Sequence, residues 1–308
     1  MKRLVLIDGN AILHRAFHAL PPLTTSSGEL VNAVFGFTSM LLRVFEELKP
    51  EYVAVCFDRK APTFRKLKYK EYQAQRPAMD TDLSGQIERV KQVVTTMNIP
   101  IFELDGFEAD DIIGTLSKQA TETETIIVTG DKDIMQLVDE KTKVFAPVKG
   151  LSDARIFDEV GVFEKLGVMP SQIVDYKGLV GDPSDNYPGV AGIGPKTATD
   201  LLSKYKTLKG VYENLEEISK STAEKLKKDQ ENANLSYFLA TIVRDAPVQL
   251  ELSKCKLTDY DFEKVAELLD SLEFRSLIPR LPKDVHDFGK GKAEVKKEEK
   301  PDNQLSFL

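Results

Sequence analysis

The chain has 308 residues, 42% hydrophobic and 30% charged, with a formal net charge of −7. That composition excludes a disordered or fibrous protein and fits one large or two modest globular domains; no apolar run reaches the roughly 20 residues of a membrane-spanning helix, so no membrane partner is expected. Cys56 and Cys255 are the only cysteines, too few and too far apart for a disulfide scaffold or a zinc site, and a reducing cytoplasm is the compartment they imply.

The opening MKRLVLIDGN sets two basic residues before an apolar run that Asp8 interrupts at once, so residues 3–7 read as a first strand and not as a secretion signal. A helical pattern over 32–48 leads to a second strand at 52–57, ended by Asp58. Between Asp58 and Asp80 the chain carries Arg59, Lys60, Arg65, Lys66, Lys68, Lys70 and Arg76 against one acid, Glu71, with Phe64, Tyr69 and Tyr72 interleaved. Most charge runs are solvated helix faces. A basic run with interleaved aromatics, directly after an acid of the kind described below, is suited to tracking phosphates and stacking bases.

Further on, a helix is expected at 83–96, a strand at 100–104, a helix at 108–120 and a strand at 125–129. This alternation predicts an α/β domain with a mostly parallel sheet flanked by helices. Asp8, Asp58 and Asp131 each follow a strand, so they should meet at the carboxyl edge of the sheet, where open α/β sheets bind ligands. From about Asp158 to Phe274 helical patterns dominate, interrupted by GDPSDNYPGVAGIGPKTA. The expected organisation is a first domain over 1–175, a helical subdomain over 176–280 and a charged, flexible tail or linker over 281–308.

Nine acids recur in short bursts: Asp8, Asp58, Glu108, Asp110, Asp111, Asp131, Asp133, Asp182 and Asp185. Taken singly, Asp8 would form a turn before Gly9, Asp133 would cap a helix, and Glu108 and Asp111 would oppose a helix dipole. Taken together, so many anions persist only if cations neutralise them. Hard oxygens without Cys or His suit Mg²⁺ or Mn²⁺, and two such ions about 4 Å apart serve an in-line phosphoryl displacement. His14 and His18 stand four apart beside Arg15; with no third ligand nearby they suit packing or phosphate contact better than metal binding.

The segments LVLIDGN, the Phe57–Asp58 pair, FEADDIIGTL, TGDKDIMQLV and GLVGDPSDNYPGVAGIGPKTA, in this order, resemble the 5′ nuclease domain of bacterial DNA polymerase I, a branch of the flap endonuclease superfamily. The resemblance implies a PIN-like core, a helical arch at about 59–82 and a helix-hairpin-helix subdomain that grips duplex DNA. It carries the metal set onto all nine acids and implies that Arg15, Arg65, Arg76 and Tyr72 place the substrate. Many members have Lys after the arch Tyr, whereas Gln73 follows Tyr72 here, so Lys66 or Lys70 would supply the missing charge.

In the hairpin, Gly189, Gly192 and Gly194 would let backbone amides approach a phosphate, Pro195 would open a helix and Lys196 would add charge. In similar proteins the hairpin carbonyls bind a monovalent cation, commonly K⁺, and the resemblance implies Val190 and Ile193 as its donors here. The final residues Gln304, Leu305, Ser306, Phe307 and Leu308 resemble a peptide that docks bacterial proteins on the sliding clamp. The expected protein is a monomeric, Mg²⁺- or Mn²⁺-dependent 5′ to 3′ exonuclease and 5′-flap endonuclease acting on flapped, nicked or gapped DNA. A PIN-type ribonuclease acting on RNA would keep the acids but lack the basic run and the glycine hairpin. A junction-binding module without cleavage would show a broken acid set.

Overall fold

The computed structural model describes residues 2–149, 153–257 and 260–282; the clamp-like peptide and nearly all of the tail lie outside the described residues. The chain begins with β1 (Arg3–Asp8), followed by α1 (Gly9–Ala19) and α2 (Asn32–Leu48). Strand alternation sends Val5 and Ile7 into one core cluster and Leu4 and Leu6 into another. Burial on both faces explains the continuous apolar run, as expected for the interior of a parallel sheet. Helices α1 and α2 approach so closely at Gly36 that an added Cβ would stand 2.8 Å from the Cβ of Ala16.

After β2 (Tyr52–Cys56) come two short helices, α3 (Phe64–Lys68) and α4 (Thr81–Ser84), then α5 (Ile87–Thr96) and β3 (Ile101–Phe102). Next are α6 (Ala109–Gln119), β4 (Glu124–Val128), β5 (Thr142–Lys149) and β6 (Asp153–Phe157). The six strands run in the order β3-β2-β1-β4-β5-β6, parallel except for antiparallel β6 at the edge. This is the expected mostly parallel sheet, with β3 shorter than its apolar run. Strands β5 and β6 were not anticipated, because Pro147 within KVFAPVKG argues against a strand interior. The register between them shifts at Pro147 and Lys149.

The helical half contains α7 (Glu159–Leu166), α8 (Ile173–Val180), α9 (Pro195–Tyr205), α10 (Leu208–Glu213), α11 (Lys220–Lys228), α12 (Gln230–Ala240) and α13 (Phe262–Ser271). One difference from the expected division concerns α13. Val265, Leu269, Leu272, Phe274 and Leu277 join the core cluster of Val5 and Phe37. Helix α13 therefore returns to the sheet domain instead of belonging to the helical subdomain, driven by its apolar face.

A candidate metal centre in an acidic cleft

Three strand ends and one helix start converge. Asp8, ending β1, caps α1: its Oδ1 accepts from the Ala11 amide at 2.9 Å and its Oδ2 from Thr129 Oγ1 at 2.7 Å. After β2, the Asp58 amide donates to Asn10 Oδ1 at 3.0 Å, and Asp58 Oδ1 accepts from the Ala109 amide at 2.7 Å. Asp131 follows β4, and its Oδ1 accepts from the Asp133 amide at 2.8 Å. Glu108 and Asp110 stand at the start of α6, where a helix N-terminus favours negative charge.

These residues line one cleft of about 1360 Å³, larger than the ~300–1,000 Å³ typical of small-molecule pockets and suited to a polymer. Seven of the nine expected acids line it: Asp8, Asp58, Glu108, Asp110, Asp131, Asp133 and Asp185. So do Arg15, Arg65, Lys66, Tyr72, Gln73 and Arg76. His14 lines it too, half-buried, its pKa lowered first by burial and then by His18 and Arg76. Asn10 and Thr129, which orient Asp58 and Asp8, were missed from sequence although both lie inside the quoted motifs; their signal was adjacency to the acids they hold.

The acids nearest the sheet are electrostatically strained. Burial pushes Asp8 up to about 7, with Asp58 and Asp131 adding to the effect. Asp110 is driven well above the usual carboxylate value by burial and then by Asp131 and Asp8, and among the described residues it receives no hydrogen bond. Glu108 is pushed up to about 7 by burial, although Arg65 opposes the shift. Asp58 is raised in the same direction, again first by burial. Among the described residues no three His, Cys, Asp or Glu side chains stand close enough to form a ready-made metal cage. An all-oxygen set of mutually repelling carboxylates, one of them without any donor, still fits a hard divalent cation, because such an ion removes the repulsion.

A pH dependence follows. A carboxyl whose pKa rises on folding stabilises the protein while protonated; for Asp8 that contribution is complete below the unfolded value of 3.8 and is lost as pH rises through about 7. Glu108 behaves alike between 4.5 and about 7. In EDTA, Tm is expected to be several degrees higher at pH 5.5 than at pH 8.5, with saturating Mg²⁺ narrowing the gap. Scanning calorimetry at the two pH values checks this, and a flat profile would contradict it.

The remaining acids are held by the protein's own cations. Lys177 Nζ lies 2.8 Å from Asp133 Oδ1 and also pairs with Asp182 Oδ2. Burial pushes Asp133 up to about 6, with Lys177 opposing. Burial works against Asp182 too, but Lys177 and Ser184 hold it below the usual range. Burial lowers the Lys177 pKa less than Asp133 and Asp182 raise it, so the net shift is upward. Arg76 pairs with Asp185 Oδ1, and the Tyr72 hydroxyl lies 3.3 Å from Asp185 Oδ2 and 3.2 Å from Glu108 Oε2. Lys177 gave no sequence signal, since it is a single basic residue within the helical segment IVDYKGLV.

Two expectations need correction. Asp111 is fully buried and turns away from the cleft: its carboxylate takes a bidentate pair from Arg65 at 2.7 and 2.8 Å and accepts from the amides of Glu108 and Val243. Its oxygens are committed to structure and not to a metal. Arg65, 2% exposed, also donates to the carbonyls of Leu239 and Thr241, so its guanidinium braces the fold and does not reach for a phosphate. The feature that made Asp111 look like a ligand, its place three after Glu108, instead lets it bond back to the amide of the helix cap.

Nor is residues 59–82 a helical arch. It holds only α3 and α4, joined by turns through 70–75. Gln73, at φ +54°, donates its backbone amide to the Asp185 carbonyl at 2.8 Å, and Asn186 Nδ2 reaches the Glu71 carbonyl at 2.7 Å. Tyr72 is buried, and Lys66 Nζ donates to its carbonyl at 2.8 Å, leaving Lys70 exposed. Pro77 ends helical continuation here.

The hairpin lies apart from the cleft. Gly189, at φ +61°, packs so tightly that an added Cβ would stand 2.2 Å from the Gly181 amide nitrogen, and its own amide donates to Ser236 Oγ. That amide is therefore spent internally, and Gly189 serves a backbone crossing and not a phosphate. The Ala191 amide goes to Asp229 Oδ2, the Val190 carbonyl accepts from the Ile193 amide, and Lys225 Nζ donates to the Gly192 carbonyl. Gly192 has φ +78°, and Gly194 caps α9 with open space around it; Pro195 and Lys196 start the helix, whose first amides lack intrahelical acceptors.

Comparison with known proteins bears on this geometry. A model of the 5′-3′ exonuclease N-terminal resolvase-like domain matches residues 3–167, and one of the 5′-3′ exonuclease C-terminal SAM fold matches residues 168–263. DNA polymerase I of Caldicellulosiruptor bescii is 44% identical over 283 residues, covering 91% of this chain and 33% of that polymerase. That of Bacillus subtilis is 40% identical over 286 residues, covering 92% and 32%. The chain thus spans about a third of the length of the curated relatives it matches. A T5 5′-exonuclease solved with zinc ions has a TM-score of 0.65 at 20% identity, covering 91% of this chain and 99% of that one. The catalytic core of Rad2 with a DNA substrate has a TM-score of 0.57 at 16% identity, covering 91% and 92%. At these identities the two structures speak for the fold.

Proposed function

Because the chain belongs to the 5′-3′ exonuclease family, we propose that it cleaves phosphodiester bonds of DNA at or near a 5′ flap, nick or gap in a divalent-metal-dependent hydrolysis that leaves 5′ phosphates. The observation that carries this reading is the convergence of Asp8, Asp58, Glu108, Asp110 and Asp131 in one cleft with Arg15 and Arg76 beside them. Asp8, Asp58, Asp110 and Asp131 would hold a Mg²⁺ or Mn²⁺ ion, with Glu108 adjoining. When bound, such an ion supplies Lewis-acid activation of water and neutralises charge on the phosphate. The protein's own part is positional: Thr129 fixes the Asp8 carboxylate, Asn10 holds the Asp58 backbone amide, and Arg76, half-exposed at the cleft, can exchange its Asp185 partner for a phosphate.

The first turn of α9 with Lys196 would hold the duplex backbone, with K⁺ at the Val190 and Ile193 carbonyls as an added bridge. Contacts of this kind carry no base information, so the substrate would be selected by shape. Docking on a sliding clamp through residues 304–308 is a proposal that rests on those five residues, and a chain ending at residue 303 with unaltered clamp affinity would remove it.

The test uses end-labelled 5′-flap DNA with Mg²⁺, beside matched RNA and blunt duplex. Flap cleavage is expected to exceed cleavage of either control by at least tenfold and to vanish in EDTA. Preferential cutting of RNA would move the protein to the ribonuclease reading, and binding without cutting to that of a junction-binding module.

A further inference from the structure

Two groups of acids stand in or beside the cleft, and they are neutralised differently. Asp8, Asp110 and Asp131 have no basic side chain paired with them among the described residues, whereas Asp133 and Asp182 share one. Lys177 Nζ stands 2.8 Å from Asp133 Oδ1 and 3.1 Å from Asp133 Oδ2, and pairs with Asp182 Oδ2 more closely still. The three side chains are only 17%, 18% and 11% exposed. One ammonium thus bridges the turn after β4 and the loop after α8, meeting three carboxylate oxygens from two separate parts of the chain.

We propose that Lys177 is a resident cation of the Asp133–Asp182 pair, which a divalent ion must displace before both carboxylates can bind it. A Mg²⁺ ion takes its oxygens at about 2.0–2.1 Å and tolerates little distortion, so it needs the atoms that Lys177 already holds. An ammonium left within a few ångströms of that ion would also repel it. The inference rests on the metal-dependent reading above. It orders the filling: the acids without an internal cation take the first ion, and the Asp133–Asp182 position takes the next more weakly because the lysine pair must break first.

Calorimetric titration of the full chain with Mn²⁺, without DNA, tests this in the wild type, Lys177→Met and Lys177→Arg. Lys177→Met is expected to bind its weaker ion at least tenfold more tightly with the first ion unchanged, and Lys177→Arg to resemble the wild type. An isotherm unaltered in Lys177→Met overturns the proposal. Removing Lys177 leaves two acids uncompensated, so if that variant does not fold in EDTA the wild type decides. Reductive methylation read by mass spectrometry should find Lys177 protected in EDTA and reactive once Mn²⁺ fills the weaker position; protection persisting at saturation overturns the proposal. A wild type that binds no Mn²⁺ at all overturns the nuclease reading beneath it, whereas Mn²⁺ uptake without a response at Lys177 overturns this inference alone.

Discussion

Asp110→Ala is expected to fold, to be at least as stable as the wild type in EDTA, and to cut 5′-flap DNA about a thousandfold more slowly in single-turnover assays. The rate loss corresponds to about 4 kcal/mol of transition-state stabilisation, at about 1.4 kcal/mol per tenfold. Asp110 receives no hydrogen bond among the described residues, and burial beside Asp131 and Asp8 drives its pKa well above the usual value. Removing a charge that the fold tolerates poorly relieves repulsion, so stability should not fall. The same change removes an oxygen donor from the cleft. A variant that cuts normally would refute the assignment, and one that loses Tm by several degrees would mean that Asp110 serves the fold.

Arg65→Ala should have the opposite signature. Arg65 and Asp111 form a buried bidentate pair, with Asp111 fully enclosed and Arg65 also bonded to two backbone carbonyls. Breaking a buried pair by removing one partner costs about 3–5 kcal/mol, chiefly because the other charge is left uncompensated. For a chain of this size a loss of 1 kcal/mol lowers Tm by about 2–4 °C, so a fall on the order of 10 °C is expected. Replacing both partners, as Arg65→Met with Asp111→Leu, should recover much of that loss, because the uncompensated charge is gone. If Arg65 instead placed the scissile phosphate, cleavage would collapse while Tm stayed unchanged. Thermal denaturation and single-turnover cleavage of the same preparations separate the two.

The sheet and the cleft were legible in the sequence because they rest on short-range patterns. A strand buried on both faces is a run of apolar residues, and an acid just after it must lie at the carboxyl edge of the sheet, as Asp8, Asp58 and Asp131 do. Direction of side chains was not legible. Glu108, Asp110 and Asp111 are neighbours in sequence, but one turn of α6 sends two into the cleft and the third inward to Arg65. The basic run hid the same division: charge counted along the chain does not show that Arg65 is enclosed, Lys66 turned onto the Tyr72 carbonyl, and Arg76 left at the cleft. Lys177 was invisible for a further reason, since its partners lie 44 residues before it and five after, and only the fold brings all three together.

The return of α13 to the sheet domain has a consequence for how the molecule is made. Val265, Leu269 and Phe274, among the last residues described, fill the core begun by Val5. Domains generally acquire their structure in the order of synthesis. Here the earlier half stays without part of its interior until α13 has emerged, and a break in the chain between them would leave apolar surface bare on the earlier piece. Sheet and helices would then be a single unit of folding as well as of function, with the docking of α13 as the closing step.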